Sequence, residues 1–239
     1  RVAIKHHCYD SILFQDFVRE LAKTPMSSFP TRALPAKPMH AGPRPQPDAP
    51  VTLQGLFRHL DTVLTETTLV IADVGESLFA GADLHVRHRF EFLSPAYYTS
   101  MGFAVPAALG ASFADPSLRP IVLVGDGAFQ MTGMELSTIV GRRQPAVVIV
   151  LDNGGYGTER VLLDGSFNDI NPWRYERLPE VLGGGTGHEV RTEGDFDRAL
   201  RAALADPPAL HLIRVHLARD DFSPTVTRLG ESLSKRIHD

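Results

Sequence analysis

The chain has 239 residues, of which 43% are hydrophobic, and this composition is ordinary for a globular protein with a packed core. Its formal charge of −4 argues against a nucleic-acid partner, since the Lys and Arg residues are scattered along the chain. The single cysteine, Cys8, excludes an internal disulfide, and no Cys/His group has zinc-site spacing, so a cytoplasmic location is expected. No run approaches the roughly 20 apolar residues of a membrane span, and the first residues do not resemble a signal peptide.

The first 50 residues predict two parts that precede the main domain. Residues 1–24 are expected to form a strand over 2–6 and then a short helix, which is too little to fold alone. The stretch 25–50 holds eight prolines, which favours an extended linker. Because the chain also lacks an initiator methionine, we interpret 1–24 as the end of a preceding domain and 51–239 as the main domain of a longer polypeptide.

After the linker, short apolar runs alternate with helical patterns. The predicted strands cover residues 69–72, 121–124, 146–151 and 210–215, and the predicted helices cover about 52–65, 103–113, 133–142 and 195–205. Strands that are apolar throughout are typical of parallel sheets covered on both faces. The alternation therefore predicts an α/β fold, a doubly wound parallel sheet with helices on both faces. Ligands bind such sheets outside the carboxyl ends of the strands, so the loops after Val124 and Leu151 are the expected site.

The first of these loops begins with Gly125-Asp126-Gly127, directly after an apolar strand. The two glycines allow a close approach of the backbone to a ligand, and Asp126 supplies a hard oxygen ligand. The next helix is predicted to begin at Thr132, because Thr132-Gly133-Met134-Glu135 fits a capping box. A plain turn is the alternative for Gly-Asp-Gly taken alone.

The second loop is Asp152-Asn153-Gly154-Gly155-Tyr156, again at a strand end. If the two strands are neighbours, Asp126, the Asn153 amide oxygen and the Gly155 carbonyl can converge on one Mg²⁺, which prefers oxygen ligands and is commonly completed by substrate phosphates and water. A plain turn again remains the alternative when the loop is considered by itself.

Together these segments resemble the thiamine-diphosphate motif, in which Gly-Asp-Gly is followed at a set distance by Asn. The resemblance extends over residues 125–136, 153–159 and 164–173, which are similar to the pyruvate, indolepyruvate and phenylpyruvate decarboxylases. It covers nearly all of 51–239, and residues 2–21 resemble the end of the family's middle domain. The chain is therefore identified as resembling the C-terminal, cofactor-binding portion of a thiamine-diphosphate-dependent 2-oxo acid decarboxylase.

The resemblance implies a set of site residues. Asp126, Asn153 and Gly155 would bind Mg²⁺, and Glu159 would be the catalytic residue near the reactive carbon of the cofactor. The other implied cofactor contacts are Val74, Glu76, Thr99, Met101, Gly125, Gly127, Ala128, Tyr156, Gly157 and Thr158. Among these, the Thr99 carbonyl would accept the amino group of the aminopyrimidine, and Met101 would support the bent cofactor.

Two positions depart from the family pattern. Val74, in Asp73-Val74-Gly75, replaces a threonine, so the contacts of this segment with the diphosphate are in doubt. Asp152 replaces the first asparagine of the usual Asn-Asn pair, although it precedes the implied ligand and does not itself have to contact the metal.

The implied activity is the non-oxidative decarboxylation of a small 2-oxo acid, of the aromatic indolepyruvate or phenylpyruvate type, to an aldehyde. The chain carries no match to the family's N-terminal, pyrimidine-binding domain, so it is expected to be catalytically incomplete alone and to work with that domain of the same or another chain. A homo-oligomer, dimer or tetramer, is also implied. The alternatives are a thiamine-dependent carboligase or synthase and a non-catalytic cofactor-binding module.

Overall fold

The structure, a computed structural model, describes residues 2–24, 45–86 and 91–237. The chain divides into two compact units, 1–38 and 39–239. In the first unit, β1 (Val2–Ile4) and β2 (His7–Tyr9) form an antiparallel hairpin that precedes α1 (Phe14–Lys23). The strand predicted over 2–6 is present but ends at Ile4, because the chain turns at Lys5, whose φ is 55°. Most of the predicted linker, residues 25–44, lies outside the described residues.

The second unit contains a six-stranded parallel sheet with the order β4-β3-β5-β6-β8-β7. Its strands are β3 (Thr68–Ala72), β4 (Phe92–Leu93), β5 (Arg119–Gly125), β6 (Ala146–Asp152), β7 (Thr186–Val190) and β8 (Leu210–His216). The four inner strands are those that the apolar runs predict. The two edge strands were not predicted, because β4 is only two residues long and β7 is largely polar, with Val190 its only buried residue.

Nine helices accompany this sheet in the described part of the second unit. They are α2 (Leu53–Val63), α3 (Glu76–Gly81), α4 (Ala104–Ala114), α5 (Asp126–Thr132), α6 (Leu136–Gly141), α7 (Gly157–Leu162), α8 (Leu178–Val181), α9 (Glu193–Ala205) and α10 (Pro224–Ile237). Short 3₁₀ turns lie at Gly133–Glu135, Ser166–Asn168 and Tyr175–Arg177. Within the described ranges no helix has the length and apolar character needed to cross a membrane.

Successive residues of β5 supply two hydrophobic cores, one on each face of the sheet. Ile121 and Leu123 pack in the cluster that contains apolar residues of α2 and α9. Val122 and Val124 pack in the cluster that contains apolar residues of α4, α5 and α6. All four side chains are at most 1% exposed, and burial of each contributes about 1.5–3 kcal/mol to folding. The doubly wound parallel fold predicted from the sequence is confirmed.

The helix predicted over about 133–142 corresponds to a 3₁₀ turn followed by α6. Before it lies α5, which was not predicted. It starts at Asp126, directly after Gly125, and a 3₁₀ turn over Gly133–Glu135 separates it from α6. The predicted capping box is wrong, because the Thr132 hydroxyl donates to the carbonyl of Gly102 at 2.7 Å instead of accepting from the helix. A helix that begins at the strand end places the carboxylate of Asp126 at the edge of the sheet.

The order of the strands explains why a crevice forms at this edge. From β3 the chain moves outward to β4 and then returns to the other side of β3 to form β5, so connections run in opposite directions on either side. Ligands bind α/β sheets at such a reversal. The carboxyl ends of β3, β5 and β6 are in register here, with Ala72 opposite Leu123 and Gly125 opposite Leu151.

Candidate functional site

A pocket opens at the carboxyl ends of β3, β5 and β6, with about 680 Å³ of empty space that includes open solvent. The structure brings together in its lining all but one of the residues that the sequence predicts for the site: Val74, Glu76, Met101, Gly125, Asp126, Gly127, Ala128, Asn153, Gly155, Tyr156, Gly157, Thr158 and Glu159. The exception is Thr99, which is exposed and lies outside the lining of this pocket.

Asp126 lies at the floor of this pocket and is only 1% exposed. Its Oδ1 accepts a hydrogen bond from its neighbour, the Gly127 amide, at 2.7 Å, and its Oδ2 accepts one from the Gly155 amide at 2.9 Å. Burial, followed by the negative charge of Asp152, raises the pKa of Asp126 to about 7. A bound cation would favour the ionised form, because an opposite charge lowers the pKa of a buried carboxyl group.

The loop after β6 depends on its glycines. Gly154 and Gly155 have φ values of 76° and 142°, which residues other than glycine rarely adopt. A Cβ on Gly155 would lie 2.0 Å from the carbonyl oxygen of Asn168, so the close approach of the 3₁₀ turn Ser166–Asn168 requires glycine at 155. The Tyr156 amide also donates to this Asn168 carbonyl, at 2.9 Å, and the loop is therefore held from outside.

The oxygen-bearing groups around the pocket are suited to bind Mg²⁺ together with a diphosphate. The carboxylate of Asp126, the side chain of Asn153 and the backbone of Gly155 all line the pocket and offer oxygen ligands. A Cβ added at Gly125 would meet no atom within 4 Å, so there is open space beside the strand end. Across the described ranges, no three His, Cys, Asp or Glu side chains cluster as a metal site. A cation held by the three oxygen groups at Asp126, Asn153 and Gly155 would have few protein ligands, as Mg²⁺ does when phosphates complete its coordination.

The segment after β3 has two different acids. Asp73 is fully buried, and its carboxylate accepts from the amides of Val74, Gly102 and Ala104 at 2.9, 3.1 and 2.8 Å. It therefore fixes the turn next to Met101 instead of facing the pocket, while Val74 offers only its backbone and an apolar side chain. Burial raises the pKa of the Asp73 carboxyl group, and these hydrogen bonds oppose the effect.

Glu76, the second acid, lines the pocket and is 8% exposed. Its Oε1 accepts from the Ser223 amide at 2.9 Å, and burial raises the pKa of its carboxyl group. A buried acid with a raised pKa is more readily neutral than an exposed one, which lowers its repulsion toward a phosphate.

Residues 156–159 form the wall opposite α3. The Tyr156 ring packs on Gly127, where an added Cβ would lie 2.6 Å from the ring, so glycine is needed for this contact. Thr158 and Glu159 follow in the first turn of α7, with Thr158 half-buried and Glu159 exposed. Glu159 thus reaches the pocket from its rim, where a carboxylate remains accessible to a substrate.

Asp152 lies outside the pocket lining and is turned toward β8. The Nε of Arg214 donates to its Oδ2 at 2.6 Å, and both side chains are about one-tenth exposed. The departure from the family's Asn-Asn pair therefore introduces a negative charge that pairs with Arg214 and also raises the pKa of Asp126.

Several residues of the site have no local signal in the sequence. Leu53 and Asp221 line the pocket and are joined by a hydrogen bond from the Leu53 amide to the Asp221 carboxylate at 2.6 Å, across 168 positions of the chain. Gly75, Ser77, Leu151 and Leu217 complete the lining. The Gly75 position is part of the segment that the sequence singles out, but the contacts from residues 217–223 depend on tertiary structure alone.

Comparison with known proteins agrees with this geometry. Residues 73–215 match the family model described as "Thiamine pyrophosphate enzyme, C-terminal TPP binding domain". The chain is 34% identical over 218 residues to an alpha-keto-acid decarboxylase of Mycobacterium ulcerans, covering 90% of this chain and 38% of the relative. It is 30% identical over 238 residues to pyruvate decarboxylase 4 of Arabidopsis thaliana, covering 95% of this chain and 39% of the relative.

A solved structure, the thiamine diphosphate-dependent 4-hydroxybenzoylformate decarboxylase of Rhodococcus jostii RHA1, matches with a TM-score of 0.65 and 27% sequence identity. The match covers 72% of this chain and 34% of that protein. The chain thus spans well under half the length of these relatives. Because the family model covers more than half of the chain, including the segment after β3 and the ends of β5 and β6, the chain belongs to the thiamine pyrophosphate enzymes, as their C-terminal TPP-binding domain.

Proposed function

We propose that this chain binds the Mg²⁺-diphosphate end of thiamine diphosphate within a 2-oxo acid decarboxylase. The observation that carries the proposal is the junction of two strand ends in one pocket, where the buried Asp126 carboxylate accepts from the amide of Gly155. The decarboxylation of a 2-oxo acid is supported by the names of two relatives, an alpha-keto-acid decarboxylase and a pyruvate decarboxylase.

In this proposal each wall of the pocket has a separate task. Asp126, Asn153 and the Gly155 carbonyl hold the cation, and the backbone at Gly125, Gly127 and Ala128 lies beside the diphosphate. Residues 74–76 and 156–158 enclose the cofactor from the two sides, and Met101 supports it from below. Since Glu76 is buried, its effect on phosphate depends on its protonation state.

The bound cofactor supplies the electron sink that makes loss of carbon dioxide from a 2-oxo acid possible. Glu159, at the pocket rim, is the residue of this chain that we assign to proton handling or to contact with the substrate carboxylate. The activating glutamate and the pyrimidine site belong to an N-terminal domain, from the same polypeptide or another copy. The cytoplasmic location expected from the single cysteine stays a prediction.

Exposed aromatic and thioether side chains support a covering partner: Tyr97 and Tyr98 shortly precede Met101 in the chain, and Met131 lies beside Gly102. Tyr97 and Tyr98 are 90% and 82% exposed, and Met131 and Met134 are each about half exposed. Large exposed apolar groups in one region are typical of surfaces that contact another protein. We propose that the pyrimidine-binding domain covers this side and that the enzyme is a homo-oligomer.

A direct test uses this chain with pyrophosphate, which mimics the diphosphate end and does not require the pyrimidine-binding domain. Titration calorimetry should show pyrophosphate binding only when Mg²⁺ is present, with little binding of inorganic monophosphate. Equal binding of pyrophosphate with Mg²⁺ and with EDTA would refute the proposed Mg²⁺ site.

The substrate class rests on Thr158, which lines the pocket immediately before Glu159. A short side chain here leaves room for a large substituent, so we propose aromatic 2-oxo acids as substrates. In the complete enzyme, Thr158→Ile should lower kcat/KM for phenylpyruvate about tenfold more than for pyruvate, because shape discrimination by an apolar pocket amounts to about 1–3 kcal/mol per methylene-sized difference. Thr158→Ser is the control. An equal loss on both substrates, or a wild-type preference for pyruvate, contradicts the assignment.

A further inference from the structure

Arg160 is buried directly behind the loop that follows β6. Its side chain is only 2% exposed, although arginine is one of the residues that is almost never fully buried without partners. Its Nη1 donates to the carbonyl of Asn153 at 3.1 Å, and its Nη2 donates to the carbonyl of Gly154 at 2.7 Å. A guanidinium group thus binds two successive carbonyls of the segment that carries the proposed metal ligands.

The same guanidinium connects this segment to a second loop. Its Nη2 lies 3.1 Å from Oδ1 of Asp169, and its Nε lies 3.9 Å from Oδ1 of Asp164. Residue 169 also forms an isolated antiparallel bridge with Gly155. Arg160 therefore links the strand end, the 164–169 loop and the first turns of α7, on which Glu159 is its neighbour.

The two carbonyls that Arg160 binds precede the Gly155 carbonyl that we assign to the metal. Since each peptide unit is planar, fixing the carbonyls at 153 and 154 restricts the peptides on either side of Gly154. Two successive glycines would otherwise leave this part of the loop free to adopt many conformations. The guanidinium supplies the restraint that the glycines lack.

We propose that Arg160 is a positioning residue that holds residues 153–155 in the conformation that binds Mg²⁺. This assignment rests on the proposed function of the pocket and adds to it a residue that is not among the pocket lining. Lysine cannot replace arginine fully here, because a planar fork donates to several oxygens at fixed angles, whereas an ammonium group acts as a point charge.

The structure offers a matched control in Arg219. Its Nη2 donates to Asp164 at 3.0 Å and its Nη1 lies 2.7 Å from Asp169, so it contacts the same two acids as Arg160. Among the described residues, its hydrogen-bond and ion-pair partners do not include the carbonyl of Asn153 or that of Gly154. A variant at 219 removes the ion pairs that Arg219 makes with Asp164 and Asp169. It leaves in place the hydrogen bonds from Arg160 to the carbonyls of Asn153 and Gly154.

The test measures Mg²⁺-dependent pyrophosphate binding by Arg160→Lys, Arg160→Met and Arg219→Met, together with their unfolding temperatures without ligand. The Mg²⁺ concentration for half-saturation should rise about tenfold or more in Arg160→Lys, as expected for lost charge-assisted hydrogen bonds. Pyrophosphate affinity at saturating Mg²⁺ should change little, and Arg219→Met should behave as wild type in both respects.

The outcomes separate this inference from the function on which it rests. If wild type shows no Mg²⁺-dependent binding, the proposed function fails and the role of Arg160 with it. If wild type binds and folded Arg160→Lys has the wild-type Mg²⁺ requirement, only the role of Arg160 is refuted. An equal rise in Arg219→Met would also refute it, because the ion pairs and not the carbonyl contacts would then matter. Should Arg160→Met fail to fold, the lysine variant alone decides.

Discussion

The two strand ends that meet in the pocket are built in different ways. After β5 the chain enters α5 at once, and the Asp126 carboxylate is held in part by the amide of the next residue, Gly127. After β6 the chain first forms a loop with two glycines at positive φ, and this loop is held by Arg160 and by the carbonyl of Asn168. The proposed charged metal ligand therefore lies on a turn held in part by its own neighbour, and the proposed neutral ligands lie on a loop shaped by tertiary contacts.

This difference means that the two loops should respond differently to mutation. At the β5 turn, substitutions within Gly125-Asp126-Gly127 itself should weaken ligand binding. Damage to the β6 loop should also come from residues that never contact the ligand, since its conformation depends on partners farther along the chain.

Removing the charge at the β5 turn is expected to have the largest effect. Asp126→Ala should weaken Mg²⁺-dependent binding of pyrophosphate about 100-fold or more, because it deletes the only full negative charge that we assign to the cation. Calorimetry with and without Mg²⁺ measures this loss. Glu180→Ala, which removes an exposed acid outside the pocket and away from the contacts of Arg160, is the control and should bind normally. Unchanged affinity in folded Asp126→Ala would show that the metal lies elsewhere.

The next largest effect should come from Gly155, and Gly154 provides its control. Gly155→Ala places a Cβ 2.0 Å from the Asn168 carbonyl oxygen, whereas a Cβ on Gly154 meets no atom within 4 Å. Both residues have positive φ, so each variant carries conformational strain of roughly 1–2 kcal/mol, but only Gly155→Ala adds an overlap with backbone. Thermal unfolding should show a clearly larger loss of stability for Gly155→Ala. Equal losses would mean that the 168 segment does not constrain the loop.

A smaller effect is expected at the neutral ligand of the β6 loop. Asn153→Ala should weaken Mg²⁺-dependent pyrophosphate binding about tenfold, less than Asp126→Ala, because water can replace a neutral oxygen ligand. Asn153→Asp, which keeps an oxygen in place, should bind better than the alanine variant. If Asn153→Ala proved as damaging as Asp126→Ala, the proposed division between a charged and a neutral side of the site would be wrong.

The smallest expected effect is on the pH dependence of stability, and it concerns His188 on β7 and His211 on β8. This pair is a reference for the two strand-end loops, because neither loop contains histidine. Nε2 of His188 lies 3.0 Å from Nδ1 of His211, in stacked rings. Burial lowers the pKa of both. At His188 the His211 ring adds to this effect, whereas at His211 the Asp206 carboxylate opposes it and Arg119 adds to it.

The sign of the resulting pH dependence follows from the direction of these shifts. Because the pKa values in the folded state lie below the ordinary value of about 6.5, the unfolded chain binds protons more readily. The pair's contribution to stability is present above that pH and is lost as the pH falls through the lowered values. His188→Gln/His211→Gln should therefore show a weaker decrease in unfolding temperature between pH 7.5 and 5 than wild type. An identical decrease in the two proteins contradicts this.

Much of the fold was predictable because its signals are local. The inner strands are apolar runs that must be buried on both faces, and Asn153 lies 27 positions after Asp126, at the end of the next strand. Once the strands are parallel and adjacent, their polar ends meet. The edge strand β7 has no continuous apolar run, because it lies at the periphery of the sheet and most of its side chains are exposed to solvent.

The sequence by itself determined the cofactor-binding class of this chain, through glycines and oxygen-bearing side chains at strand ends. Tertiary structure alone decided which side chains hold those ends in place. Thr132 fits a capping box locally, yet its hydroxyl donates to Gly102 in the folded chain. Arg160 resembles any helix residue beside Glu159, yet burial turns it into the partner of two loop carbonyls. A polar group bonds to whatever the fold brings within reach once water is excluded, and that choice is made by contacts distant in sequence.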